Sequence, residues 1–421
     1  MTLFSYARRS RFIRHNSIFF VGAIAVGALN YLYYPVMGRL LDTISFGEVQ
    51  TLISLFVQST IFLSVLGLVT VNIVANYRSV ERRDMVVREF EQLALLISVA
   101  LALLAIVFAR QLAQFLHFHS VWPFVLLMIA MVLSVPFTFR SAFLRGKQRF
   151  GLVSTGNLVS AGGKLLFAIL FVLLGFGTNG AIGGLVAAQL VAFGLVAYWA
   201  TKVGLKQAGS GSIVRLPKLP IILPELRYAL LVFIGSLIIT LQYSIDIVVI
   251  KHYFDPHTAG IYAGVATVAR IIFFATASIA MVLMSMVRID ADPGVNRKLG
   301  VKSVVLLVAV ALPITLLCVI NPHAVIQLLM GKDYISAADL LPRLSITVFI
   351  ISLLNVIVSY YLALRRFAIA PLLLVGAGIT YCLVLMQHAT LSAVVNSLLI
   401  GSLSMLFILG MWMGAMRLRS L

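Results

Sequence analysis

Lys164 and Arg270 are the two basic residues of this chain that fall inside long apolar runs. Lys164 lies about twelve residues into the run 152–175, and Arg270 about eleven residues into the run 259–287. At 1.5 Å per helical residue, each is roughly 17 Å deep, near the middle of a hydrocarbon layer about 30 Å thick. Ionisable groups at that depth are costly and mark substrate or ion pathways. An Arg grips phosphate oxygens with a bidentate fork, and a Lys offers a point charge. Together they suit a doubly charged anion such as a pyrophosphate. The competing reading is a local partner that locks each cation in place. Asp246, five residues before Lys251, also has two readings. It pairs with Arg270 or Lys251, or it binds a proton or Na⁺ and couples a cycle to an ion gradient, because low dielectric raises a carboxyl pKa.

Other polar side chains interrupt the apolar runs. Gln58, Asn30 and Asn72 can bond sugar hydroxyls or neighbouring helices. Arg39 ends the first run, as an interfacial anchor or as part of an outer gate. Tyr31, Tyr33 and Tyr34 can stack on sugar faces or form an interfacial belt. Arg140, Arg145, Lys147 and Arg149 cluster where an anionic lipid head would first arrive, although topology alone explains a basic loop there. Cys318 and Cys382 stand far apart with no Cys/His cluster, so neither a metal site nor a disulfide is expected.

These residues need a scaffold that lipid can solvate. The chain is 62% hydrophobic and 11% charged, against about one half and one quarter for a soluble domain. Its formal charge of +19 would suggest nucleic acid in a soluble protein. Here the charges lie between apolar runs, no nucleic-acid motif is present, and loops facing anionic lipid account for them. The runs 17–39, 49–75, 92–110, 121–139, 152–175, 180–201, 228–250, 259–287, 303–321, 344–363, 369–386 and 390–415 each have the length of a span. The fold class is therefore an all-α polytopic membrane protein of about twelve transmembrane helices. With the N-terminus cytoplasmic, twenty-five of the 32 Lys and Arg fall on cytoplasmic segments and five on the outer side. That alternation also places the C-terminus in the cytoplasm. The first run follows Arg8, Arg9, Arg11 and Arg14 but is too long for a signal peptide, so it is read as a retained helix.

The longest loop carries Gly209 to Ser212 and then Pro217, Pro220 and Pro224, the composition of a linker. It divides the chain into an N-terminal lobe 1–203, a cytoplasmic linker 204–227 and a C-terminal lobe 228–421. The lobes share two motifs. Asp42 with Gly47 follows the first run, and Asp255 with Gly260 follows the seventh, both as D-x4-G. Ser141 to Phe150 and Ser359 to Phe367 match at the Ser, the aromatic, the Leu and the basic residues. A duplicated six-helix unit enters the membrane in one direction twice, which makes a parallel repeat with a central cavity between two bundles. Pro35, Pro136 and Pro313 fall within runs and either kink or hinge them.

The pattern Tyr33-Tyr34-Pro35-Val36-Met37-Gly38-Arg39, then Phe46-Gly47-Glu48, and Gly146-Lys147-Gln148-Arg149-Phe150-Gly151 resembles the polysaccharide transporter branch of the multidrug/oligosaccharidyl-lipid/polysaccharide exporter superfamily. This branch includes the Wzx-type O-antigen and capsule repeat-unit flippases. The resemblance runs over nearly the whole chain, mainly through topology, length and loop spacing. It implies alternating access, with loading of an undecaprenyl-pyrophosphate-linked oligosaccharide from the cytoplasm and release outside. It further implies the bacterial inner membrane, a monomer without cofactor, and a polysaccharide polymerase and chain-length regulator as partners. Peptidoglycan-precursor flippases of the superfamily carry two further helices, for which this chain has no room. A multidrug or cation antiporter of the superfamily needs cavity carboxylates, whereas the deep charges here are two cations and one carboxylate. A membrane polymerase or ligase needs an outer catalytic site. The longest outer loop, 322–343, is too short to fold alone, and no carboxylate pair suits glycosyl chemistry.

Overall fold

The computed structural model describes residues 3–76, 79–205, 219–287, 292–366 and 368–418, and every regular element among them is helical. Apolar runs this long leave lipid-exposed backbone no other way to satisfy its hydrogen bonds. The first half of the chain forms α1 (Leu3–Leu40), α2 (Thr43–Asn76), α3 (Val80–Val107), α4 (Ala109–Phe115), α5 (Trp122–Gly146), α6 (Phe150–Phe171) and α7 (Gly177–Lys202). The second half forms α8 (Leu219–Tyr253), α9 (Pro256–Ala269), α10 (Ile271–Met286), α11 (Pro293–Ile320), α12 (Pro322–Leu329), α13 (Leu341–Ala363), α14 (Ile369–Met386) and α15 (Leu391–Leu418). Each expected run falls on helix, with 92–110 passing from α3 into α4, 152–175 from α6 into a π-helical turn and 259–287 from α9 into α10. Among the described residues nine helical runs are long and apolar enough to cross a membrane, or ten with that bent pair. The protein is a multi-pass membrane protein.

Two local features differ from the plain helices expected. The run 259–287 bends by 44° between α9 and α10, and Arg270 sits at the break. The run Phe150–Lys202, counted once above, contains α6, a π-helical turn Val172–Phe176 and α7. Gly175 at φ +88° and Gly177 at φ +49° provide a reversal that side-chain-bearing residues rarely adopt. α6 and α7 then pack closely, with Gly184 against the Ala168 backbone and Gly163 against Ala188. Small residues let helices approach in lipid, where no hydrophobic effect draws them together.

The chain divides into two compact units. One comprises Met1–Leu40 with Ser59–Ala229, the other Leu41–Gln58 with Leu230–Leu421. The expected lobes 1–203 and 228–421 are thus redrawn, because the first half of α2 belongs with the second half of the chain. Its contacts explain the exchange. Gly47 packs on Gly260, Gln50 bonds Thr267, and Gln58 bonds Ser244. Of the expected linker 204–227, residues 206–218 lie outside the described residues, and its end from Leu219 is already α8. Phe367, the last residue of the second repeat motif, also lies outside them.

Each unit repeats the same pairings within itself. In the first, α3 packs on α5, α5 on α7 and α6 on α7. In the second, α11 packs on α13, α13 on α15 and α14 on α15. The D-x4-G motifs play one local role twice. Asp42 Oδ1 accepts from the Ser45 backbone N–H at 3.0 Å at the start of α2. Asp255 Oδ1 accepts from His257 and Thr258 N–H groups at 3.1 and 3.0 Å and caps α9. Bonds from the Thr258 side chain and backbone hold the Asp255 carboxyl below its ordinary pKa. Burial pushes the Asp42 carboxyl up, but hydrogen bonds from Ser45 outweigh it and leave that pKa lowered too.

Candidate functional site

In the first unit, α1 places Asn30, Tyr33 and Tyr34 on one face by their i, i+3, i+4 spacing. Lys164 projects from α6 onto that face. Its Nζ donates to Asn30 Oδ1 at 2.8 Å and lies 4.5 Å from the Tyr33 ring centroid and 5.9 Å from that of Tyr34. The two rings meet edge to face at 5.7 Å, and the Tyr33 hydroxyl donates to the Ala181 carbonyl at 3.3 Å. Lys164 is 8% exposed, and among the described residues its partners are an amide and two π faces, with no carboxylate. Neutral partners orient the ammonium but leave its charge uncancelled. The tyrosines considered as sugar platforms are committed differently: Tyr33 is fully buried and Tyr34 nearly so.

The second unit treats its cation in the opposite way. α8 carries Tyr243 and Asp246, and the α9–α10 break carries Arg270. Arg270 Nη2 donates to Asp246 Oδ1 at 2.5 Å, and the Tyr262 hydroxyl donates to Asp246 Oδ2 at 2.8 Å. The guanidinium also lies 5.0 Å from the Tyr243 ring centroid, and Tyr243 stacks on Phe273 at 4.6 Å. Asp246, Tyr262 and Arg270 are buried, Tyr243 is half-buried, and the ion pair carries no net charge. Of the two partners expected for Asp246, the structure selects Arg270. Lys251 is buried instead near enough to Glu48 and Asp255 to feel both charges. Of the two deep cations, Arg270 thus has the carboxylate partner that the pairing reading expected, and Lys164 has none among the described residues.

The remaining predicted residues scatter. Gln58 Nε2 donates to Ser244 Oγ at 3.1 Å and joins α2 to α8. Asn72 is half-buried on α2, and Arg39 is exposed at the end of α1. Asn30 and Lys164 meet each other, as do Asp246 and Arg270. Three participants were missed: Tyr262, Tyr243 and Gln50, whose Nε2 donates to Thr267 Oγ1 at 2.6 Å. The Asp246–Tyr262 separation crosses from α8 to α9, and no periodicity links them. Among the described residues no group of His, Cys, Asp and Glu could hold a metal ion.

Comparison with known proteins decides the family. The model of the family described as "Polysaccharide biosynthesis protein" matches residues 13–286, more than half of the chain. The chain belongs to this family. No curated protein sequence matches the chain. Among solved structures it is similar to an inward-facing multidrug resistance MATE family transporter of the MOP superfamily, with a TM-score of 0.71 at 16% identity, covering 95% of this chain and 98% of that one. It is similar to the lipid II flippase MurJ in an inward closed conformation, with a TM-score of 0.70 at 14% identity, covering 94% and 87%. It is also similar to the Vibrio cholerae MATE transporter VcmN, with a TM-score of 0.66 at 13% identity, covering 97% of each chain. These likenesses establish the fold. The chain is thus a member of a polysaccharide biosynthesis family with the fold that these transporters and this flippase share.

Proposed function

We propose that the protein is a flippase for a polyprenyl-pyrophosphate-linked oligosaccharide, an O-antigen, capsule or exopolysaccharide repeat unit, in the bacterial inner membrane. The observation that carries this reading is Lys164, a buried ammonium oriented by Asn30 and Tyr33 and facing no carboxylate among the described residues. A cation held in that way favours an anionic cargo, and a pyrophosphate is the charged part of such a lipid. Family membership supplies the polysaccharide connection. Both termini lie in the cytoplasm in this reading, loading takes place from that side, and the released unit meets a polymerase and its chain-length regulator outside. Asp246 then serves to hold Arg270 at the α9–α10 break, and no loading step is assigned to a proton or Na⁺.

Export of cationic drugs, as in the multidrug relatives of this fold, would need a carboxylate available deep in the helices, where Asp246 lies rather than near a helix end as Asp84 does. Asp246 accepts from both Arg270 and Tyr262, which leaves it poorly placed to hold a cation. Reconstitution into proteoliposomes separates the two activities. Translocation of a fluorescent polyprenyl-pyrophosphate oligosaccharide is expected, without uptake of a cationic dye. Dye transport without lipid translocation would overturn the assignment.

A further inference from the structure

A cavity of about 490 Å³ lies within the first unit between α3, α5 and α7, apart from Lys164 and its partners. Its wall mixes signs: Asp84, Arg88 and Glu91 from α3, and Arg140 from α5. Glu91 Oε2 is paired with Arg140 Nη1 at 2.9 Å, and Arg88 lies close enough to Glu91 to attract it. Asp84 is only half used. Arg83 donates to its Oδ1 through Nε at 2.8 Å and Nη2 at 2.6 Å. The other oxygen, Oδ2, is buried with no hydrogen-bond partner among the described residues, and Asp84 as a whole is 5% exposed. A carboxylate oxygen only accepts, so this one awaits a donor that the described residues do not supply.

Polarity falls along the cavity, although Val87 and Leu205 are apolar near its outer end and Gln92 is polar beside Leu95. Inward along α3, Asp84, Arg88 and Glu91 give way to Leu95, a distance of roughly 16 Å at helical rise. Inward along α7 from its end, Thr201 and Tyr198 give way to Ala197 and Phe193. α3 begins and α7 ends on the same side of the first unit, the side of the basic loop Arg145 to Arg149. The cavity is thus polar at the helix ends and apolar deeper in, the profile of an amphiphile entering from one leaflet.

We propose that this cavity binds a membrane phospholipid with a primary ammonium headgroup. Its ammonium lies against the Asp84 carboxylate, its phosphate faces Arg88 and Arg140, and its acyl chains follow Leu95, Ala197 and Phe193. A zwitterion satisfies both signs of the wall. A bare cation would face two guanidinium groups, and a lipid-linked sugar pyrophosphate brings no cation to balance the Asp84 charge. The site is separate from the cargo reading and stands if that reading fails.

Native mass spectrometry of the full-length protein tests this, with phosphatidylethanolamine, phosphatidylcholine and phosphatidylglycerol supplied in equal amounts. Phosphatidylethanolamine is expected to be retained about tenfold over the others, since the quaternary choline nitrogen has no N–H and the glycerol headgroup no charge for Asp84. Asp84→Asn should bring the three within about twofold of each other. Ala197→Trp fills the apolar end, leaves the Asp84–Arg83 pair untouched, and should also remove retention. It serves as the test should Asp84→Asn fail to fold. Free phosphoethanolamine, which lacks chains, should not displace the bound lipid. Equal retention of the three lipids, no retention at all, unchanged selectivity in either variant, or displacement by phosphoethanolamine would each overturn the proposal.

Discussion

Gly47 and Gly260, each five residues beyond a helix-capping aspartate, meet backbone to backbone. A Cβ on Gly47 would stand 2.8 Å from the Cα of Gly260, and one on Gly260 would run into the Thr43 carbonyl. The two copies of the D-x4-G motif therefore do more than recur in sequence. They build the crossing of α2 with α9, and this contact draws the first half of α2 into the second unit.

The crossing has no room for a methyl group. Gly260→Ala should lower stability by about 1–3 kcal/mol, the usual cost of overpacking. Gly27→Ala is the control, because nothing lies within 4 Å of a Cβ there. Thermal unfolding in detergent should show a clear drop in Tm for the first variant and none for the second. A Gly260→Ala protein as stable as the parent would contradict the close approach.

Removing one partner of the Asp246–Arg270 pair strands the other in a buried site. Asp246→Ala should cost about 3–5 kcal/mol. Tyr262→Phe removes one bond to the carboxylate and should cost about 1.5–3 kcal/mol. The double variant Asp246→Leu with Arg270→Met should recover most of the lost stability, since no charge is then left unmatched. A double-mutant cycle by chemical denaturation measures the coupling. Additive losses would mean that the pair is not held as the structure shows.

The cap at Asp255 carries a pH dependence of known sign. Its folded pKa is depressed by bonds from Thr258 and His257. A depressed carboxyl contributes stability above its unfolded value, about 3.9, and loses it as pH falls through the lower folded value. Asp255→Ala should therefore cost about 1 kcal/mol at neutral pH, and its Tm curve should converge on that of the parent as pH falls through the depressed folded pKa. A gap that stays constant or widens on acidification would refute the assignment.

Much of this could be read from sequence because lipid imposes simple rules. Every expected apolar run is helical, and the brief break after Gln387 separates α14 from α15 as expected. The repeat was visible through Asp42, Gly47, Asp255 and Gly260, because a cap and a close contact each demand a particular residue type. Spacing along the chain does not encode contacts across it. Asp246 could be matched with a cation, but choosing Arg270 over Lys251 needed the α9–α10 bend. Tyr262 gave no signal, since an apolar face and a hydroxyl partner look alike in sequence. Arg140 was grouped with Arg145, Lys147 and Arg149 as a basic loop, yet it lies six residues inside the end of α5 and pairs with Glu91. The exchange of half of α2 between units was hidden for the same reason: its cause is a contact between residues far apart in sequence.

In the proposed cycle Lys164 receives the anionic head of a lipid-linked sugar. The most direct test is surface polymer in a strain lacking this protein and complemented with Lys164→Met, at matched protein level. Loss of one charge-assisted contact, about 1.5–3 kcal/mol, predicts a fall of roughly ten- to a hundredfold in cargo affinity and a matching loss of export. Arg39→Ala, at an exposed helix end, should export normally. Normal surface polymer from Lys164→Met at normal protein level would contradict the account.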